Sequence, residues 1–95
     1  METPLTWDEV KRAANLDKHG LDFADAHWVL ESAYRLDVEV LRAGELRMQS
    51  FSYVTNVLAV LTVVHAERDG SARVISFRAA RGVECEVYYD WLESE

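Results

Sequence analysis

The residues able to do acid–base or phosphate chemistry are few and scattered. Lys18-His19-Gly20 sets a cation beside an imidazole, a group that exchanges protons near neutral pH. Arg47 and Arg78 carry guanidinium groups, whose planar fork grips phosphate oxygens bidentately and never loses its charge. Glu84 and Tyr88 lie four apart, a spacing that places both on one face of a helix. His27, His65 and Cys85 complete the set. Each also has a plain structural reading. Lys18-His19-Gly20 is a helix C-terminus, Arg78 with Glu84 an ion pair tying a strand to a helix, and Tyr88 a packed aromatic. His27 and His65, beside apolar residues, read as packed and hydrogen-bonded. Cys85, between Glu84 and Glu86, reads as a packed thiol whose neighbours disfavour a thiolate. The lone cysteine excludes an internal disulfide and a Cys/His zinc framework. No glycine-rich phosphate loop, metal motif or Ser/His/Asp signature is present, so no cofactor or metal is expected.

The elements that must position these groups follow from periodicity. Thr6-Trp7-Asp8-Glu9 has the form of a capping box and predicts a helix that carries Trp7, Val10, Ala13 and Ala14 at helical spacing and stops at Lys18-His19-Gly20. Asp22 caps a second predicted helix that buries Phe23, Ala26, Val29, Leu30 and Ala33. From Tyr34 the period changes to two, with Leu36, Val38 and Val40 alternating with charged residues. Ala43-Gly44 and Thr55-Asn56 read as turns around a strand from Leu46 to Tyr53. Val57 to His65 is apolar on both faces, hence central, and Asp69-Gly70 joins it to a partner from Ala72 to Arg78. Val83, Val87 and Trp91, with Tyr88 and Leu92, form the stripe of a closing helix laid on the sheet. The expectation is one α+β domain over 1–95: two N-terminal helices, a four-stranded antiparallel sheet and a C-terminal helix, with a further edge strand possible from Pro4 to Trp7.

Ninety-five residues suit a single core, and 49% hydrophobic content with one proline excludes a disordered chain. The formal charge of −7 speaks against a general polyanion binder. It is concentrated, however. Five acids and no Lys or Arg fall between Gly82 and Glu95, which leaves −2 on residues 1 to 81, so a local anion site near Arg47 and Arg78 is not excluded. Met1 to Pro4 lacks the basic and apolar regions of a signal peptide, and the run Val57 to Val64 is far short of the ~20 residues of a membrane span. With the single cysteine this predicts a reducing cytoplasm and no membrane.

Two blocks carry a family resemblance. Trp7-Asp8-x-x-Lys11-x-x-x-Asn15-x-x-Lys18-His19-Gly20-x-x-Phe23-x-x-Ala26 is similar to the N-terminal block of the BrnT family, the ribonuclease toxins of type II toxin-antitoxin systems. Val74-Ile75-Ser76-x-Arg78-x-Ala80-x-x-x-Glu84-x-x-x-Tyr88 resembles that family's last strand and C-terminal helix, and Glu45-x-Arg47 the entry to its second strand. The resemblance implies a RelE-like fold and metal-independent endonucleolytic cleavage of RNA, which inhibits translation and growth. It implies neutralisation by a BrnA-type antitoxin with a ribbon-helix-helix domain, in a hetero-oligomer that touches DNA only through the antitoxin.

Such cleavage needs a group to take the ribose 2′-hydroxyl proton, a cation for the phosphorane charge and a proton for the leaving 5′-oxygen. By resemblance and chemical type, Arg78 is the first choice for the cation and Arg47 the second. Lys18 and His19 would supply a further cation and a proton-exchanging group, and Glu84 and Tyr88 would orient an arginine or assist proton transfer. The chain departs from the family pattern at Cys85-Glu86, where an arginine-lysine type pair is usual, at Gly82, at Phe51-Ser52-Tyr53 and at His65-Ala66. These changes bear on RNA affinity. They keep open an alternative, a catalytically silent homologue acting only as an interaction module in an autorepressor complex.

Overall fold

A computed structural model describes residues 3–94. The element order is β1 (Leu5–Thr6), α1 (Glu9–His19), a 3-10 turn (Phe23–Asp25), α2 (His27–Leu30), β2 (Leu36–Arg42), β3 (Glu45–Val54), β4 (Ala59–Arg68), β5 (Ser71–Ala79) and α3 (Gly82–Glu93). The strands form one sheet in the order β1-β5-β4-β3-β2. β2 to β5 are an antiparallel meander, and β1 pairs parallel with β5 through Leu5 opposite Ala72 and Thr6 opposite Arg73.

This corrects the expected fold class. The sheet is five-stranded and mixed, not four-stranded and antiparallel, because the chain ahead of α1 fills the open edge of β5. Thr6 belongs to that strand, and the helix cap passes to Asp8, whose Oδ1 accepts from the backbone N–H groups of Val10 at 2.9 Å and Lys11 at 3.2 Å. The expected Thr6–Glu9 capping box does not form, and Glu9 instead receives a hydrogen bond from Arg12. The second N-terminal helix is also not a single helix. It breaks into the 3-10 turn and the four-residue α2, with the Asp22 side chain capping the 3-10 turn at Ala24.

The predicted helix stop at Gly20 and the predicted turn at Asp69-Gly70 both hold. Gly20 closes α1 in the left-handed region at φ 71°, and Asp69-Gly70 turns the β4–β5 hairpin at φ 53° and 81°. The larger core lies between one sheet face and α1, the 3-10 turn and α2, around Phe23, Val29, Val63, Val74 and Phe77. A smaller core lies on the opposite face, where Tyr88, Cys85 and Leu92 of α3 meet Phe51 and Val60. The closing helix is therefore rotated from its expected stripe: Val83 and Val87 are 72% and 53% exposed, while Tyr88 is wholly buried.

The two faces can be followed residue by residue, since directly opposed side chains of antiparallel strands share a face and neighbours along a strand alternate. Between Val64 and His65 the β4–β5 register slips, with Val64 opposite Ser76 but His65 opposite Val74. The extra residue on β5 is a bulge. It reverses the alternation, so that Arg73 and Arg78, an odd number of residues apart, lie on the same face.

Candidate functional site

Arg78 stands opposite Thr62 on the face that carries α3. Its Nη1 donates to Glu84 Oε1 at 2.8 Å and its Nη2 to Glu84 Oε2 at 3.0 Å, an end-on bidentate pair; Nη1 also donates to the Ala79 carbonyl. Glu84 further accepts from Gln49 Nε2 and from the backbone N–H of Arg81, which satisfies the first turn of α3. The hydrogen bonds from Arg78 lead the causes that hold the Glu84 carboxyl down at about 2, against an opposing push from burial. Glu84 is thus an ionised, fully engaged acceptor that fixes Arg78. Among the described residues the Nε–H of Arg78 and one Nη2 hydrogen have no partner, and these lie along the edge of the guanidinium that matches two oxygens of a phosphate.

Arg47, two residues before Gln49, lies on the same face and donates through Nε to Glu45 at 2.8 Å. Arg68 and Arg73 join it, Arg73 opposite Ala66 and Arg68 two residues on along β4. The hydrogen bond and charge of Arg47, with smaller contributions from Arg68 and Arg73, hold the Glu45 carboxyl below its ordinary range. The face that carries α3 therefore gathers Arg47, Arg68, Arg73 and Arg78. Arg68 and Arg73 have no side chain partner among the described residues, and no sequence motif marked either one; the register alone brings them in.

The remaining expected residues lie apart from these arginines. Lys18 and His19 are exposed in the last turn of α1 and hydrogen-bond through their side chains to no described residue. Tyr88 is in the small core, where its hydroxyl donates to the Tyr34 carbonyl at 2.8 Å and accepts from the Tyr53 N–H at 3.2 Å. It ties α3 to the segment before β2 and to β3.

The opposite face holds a second polar group that the sequence did not reveal. Arg35 donates from Nε and Nη2 to the two carboxylate oxygens of Asp37 at 2.7 and 3.1 Å. The hydroxyl of Ser50 donates to Asp37 Oδ1 at 2.6 Å, and Ser50 Oγ lies 2.8 Å from His65 Nε2. Burial pushes the Asp37 carboxyl up, but the bonds from Arg35 and Ser50 and the charges of Arg35 and His65 prevail and keep it below its ordinary value. Burial, then the charge of Arg35, lowers His65 against the pull of Asp37. An Asp/Ser/His set thus exists although no signature announces it, because Asp37, Ser50 and His65 come from three strands and meet only in register. Ser50 sits between the other two as a relay, not at an end as a nucleophile would.

Among the described residues no three His, Cys, Asp or Glu side chains gather as a metal site, and no helix is long and apolar enough to cross a membrane. A comparison with curated proteins gives no match. The sequence profile of the family described as "Ribonuclease toxin, BrnT, of type II toxin-antitoxin system" matches residues 7–84, more than four-fifths of the chain. The chain belongs to the BrnT family. BrnT proteins are ribonuclease toxins of type II toxin-antitoxin systems, and an antitoxin is the partner that such a system implies.

The BrnT match begins at Trp7 and ends on Glu84, the residue that fixes Arg78. Within it, much of the N-terminal block acts structurally. Asn15 is buried, donates to the carbonyls of Leu21 at 3.1 Å and Phe77 at 2.8 Å, and accepts from the Phe77 N–H at 3.2 Å. It caps the edge of β5 just beyond the two residues that β1 covers. The acidic remainder of α3 lies beyond the match.

Proposed function

We propose that this BrnT protein is a metal-independent endoribonuclease that holds single-stranded RNA on its arginine face. Arg78 carries the reading: Glu84 grips the guanidinium end-on and leaves the Nε/Nη2 edge open to phosphate. A carboxylate with a pKa of about 2 is not a proton donor near neutral pH, so the role of Glu84 is to orient Arg78. The Arg78–Glu84 and Arg47–Glu45 pairs are each neutral as a unit, so long-range attraction for RNA comes from Arg68 and Arg73. In the reaction the ribose 2′-oxygen attacks the adjacent phosphorus and the 5′-oxygen leaves, giving a 2′,3′-cyclic phosphate and a 5′-hydroxyl.

The partner we propose is a BrnA-type ribbon-helix-helix antitoxin, forming a hetero-oligomer that reaches DNA through the antitoxin alone. The acidic α3 supports an encounter with a basic segment of such a partner. The site of action is the cytoplasm, where the transcripts and the antitoxin are.

Expression of the chain alone is expected to arrest growth, and Arg78→Ala or Arg47→Ala to relieve the arrest with folding intact. Purified protein is expected to cleave single-stranded RNA in low salt with EDTA present. Intact RNA under those conditions, together with binding to the product of an adjacent ribbon-helix-helix gene, would instead establish a silent homologue that acts through its partner.

A further inference from the structure

The arginine face, read above as the phosphate site, shows among the described residues no carboxylate free of an arginine: Glu45 is paired with Arg47. Glu84 takes hydrogen bonds from Arg78, Gln49 and the Arg81 backbone, and the Tyr88 hydroxyl is engaged in the core. Removal of the 2′-hydroxyl proton needs a group free to accept it. The structure presents one around the hairpin end of the sheet, in a cleft of about 440 Å³ lined by Arg35, Leu46, Arg47, Met48, His65 and Glu67, among others.

The state of His65 follows from the hydrogen bonds behind it. Asp37 is ionised and can only accept, so the single hydroxyl hydrogen of Ser50 goes to Asp37 at 2.6 Å. Ser50 Oγ must then accept from His65 at 2.8 Å, which places a hydrogen on Nε2. In the neutral imidazole Nδ1 is left as a bare lone pair. Among the described residues Nδ1 has no hydrogen-bond partner and no unpartnered side-chain nitrogen or oxygen is sealed from solvent, so Nδ1 keeps accessible surface on a side chain that lines the cleft, although His65 as a whole is only 8% exposed. Arg35, on the same wall, donates to Asp37 and to the Leu30 carbonyl and keeps one hydrogen on each of Nη1 and Nη2.

Resting on the ribonuclease reading above, we infer that His65 is the general base of the reaction and that the cleft between Arg35 and His65 receives the scissile phosphodiester of a single-stranded RNA. His65 Nδ1 takes the proton of the 2′-hydroxyl. The O2′–P bond forms, the P–O5′ bond breaks, the 5′-oxygen takes a proton from water, and the imidazolium returns its proton to solvent. Arg35 meets the developing phosphorane charge with its two free hydrogens. Arg47 borders the cleft and stands with Arg68 and Arg73 on the other face, so one strand can cross the hairpin end from the arginine face into the cleft. Asp37 and Ser50 are positioning residues, acting through the tautomer of His65. The charged groups around His65 are Arg35 just before β2, Asp37 from β2, Arg47 from β3 and Glu67 from β4; β5 contributes the uncharged Ser71 and Ala72.

The test uses the full chain and an RNA oligonucleotide, with its 2′-deoxy counterpart as a binding probe. His65→Gln keeps a donor for Ser50 but removes the base, and should lower kcat about 100-fold while affinity for the 2′-deoxy probe stays within about twofold. The wild-type rate should rise with pH along a limb set by His65. Arg35→Gln removes a charge that lowers His65 and should move that limb to higher pH; Asp37→Asn removes one that raises it and should move the limb to lower pH. A purely structural role would change melting temperature without moving the limb. Wild-type cleavage left intact by His65→Gln, in a variant that melts as the parent does, overturns this inference and leaves the ribonuclease reading standing. Failure of the wild type to cleave overturns both.

Discussion

Glu84→Gln separates charge from shape at the junction of β5 and α3. The amide keeps an acceptor for Arg78 and for the Arg81 N–H but removes the negative charge. In the folded protein Glu84 is carried from its ordinary 4.5 to about 2, foremost by the hydrogen bonds from Arg78. At about 1.4 kcal/mol per pKa unit this corresponds to roughly 3 kcal/mol. The side chains of Arg78 and Glu84 retain 18% and 23% of their exposure, so solvent screening reduces the expected loss to about 2 kcal/mol. For a domain of this size that is a fall in Tm of about 10 °C. The sign with pH follows from the depressed carboxyl. Its contribution is complete above the ordinary carboxylate range and is lost as pH falls from 4.5 toward 2. Urea unfolding of parent and variant at pH 7, 5, 4 and 3 should therefore show a gap of about 2 kcal/mol that persists to pH 5 and then narrows. A gap that is the same at pH 7 and pH 3 would refute the reasoning, since it would assign the loss to packing and not to the ionised pair.

Asn15→Ala leaves the N–H and carbonyl of Phe77 without their side-chain partner on the edge of β5, and should cost about 2 kcal/mol in denaturant unfolding. Tyr88→Phe removes one hydroxyl that joins Tyr34 to Tyr53, and should cost about 1–2 kcal/mol while leaving RNA binding unchanged in fluorescence anisotropy. Replacing Arg68 and Arg73 together by Ala should weaken RNA binding across sequences and flatten its dependence on log salt by about 1.4, the slope of two single-strand phosphate contacts. Deleting Glu93 to Glu95 should strengthen RNA binding and weaken the antitoxin complex at low salt, with unchanged affinities for both counting against an electrostatic role for the tail.

Local signals in the chain were reliable where the physics is local. Gly20 behind Lys18-His19 and the dipeptides Ala43-Gly44 and Asp69-Gly70 need only their own backbone preferences, and all three appear where expected. Alternation over Leu36 to Val40 and the apolar run ending at His65 gave the meander. The failures are places where distant partners compete for a residue. Thr6 is a fair helix cap by type, but the open edge of β5 takes it as a strand and Asp8 inherits the cap. Val83 and Val87 fit a buried stripe by spacing, yet the Arg78–Glu84 pair and the Tyr88 hydroxyl fix the rotation of α3 and turn those valines outward.

The functional groups divide in the same way. Residue type and sequence pattern alone identified the family and singled out Arg47, Arg78 and Glu84, because a guanidinium and its carboxylate keep their chemistry wherever they are placed. Only the tertiary structure decided which groups lie together. One bulge in β5 turns Arg73 to the side of Arg78, and sheet register carries Asp37, Ser50 and His65 from three strands into one line of hydrogen bonds. Side-chain alternation reverses with a single inserted residue, so the face on which a residue works is set by pairing across strands and not by its neighbours in the chain.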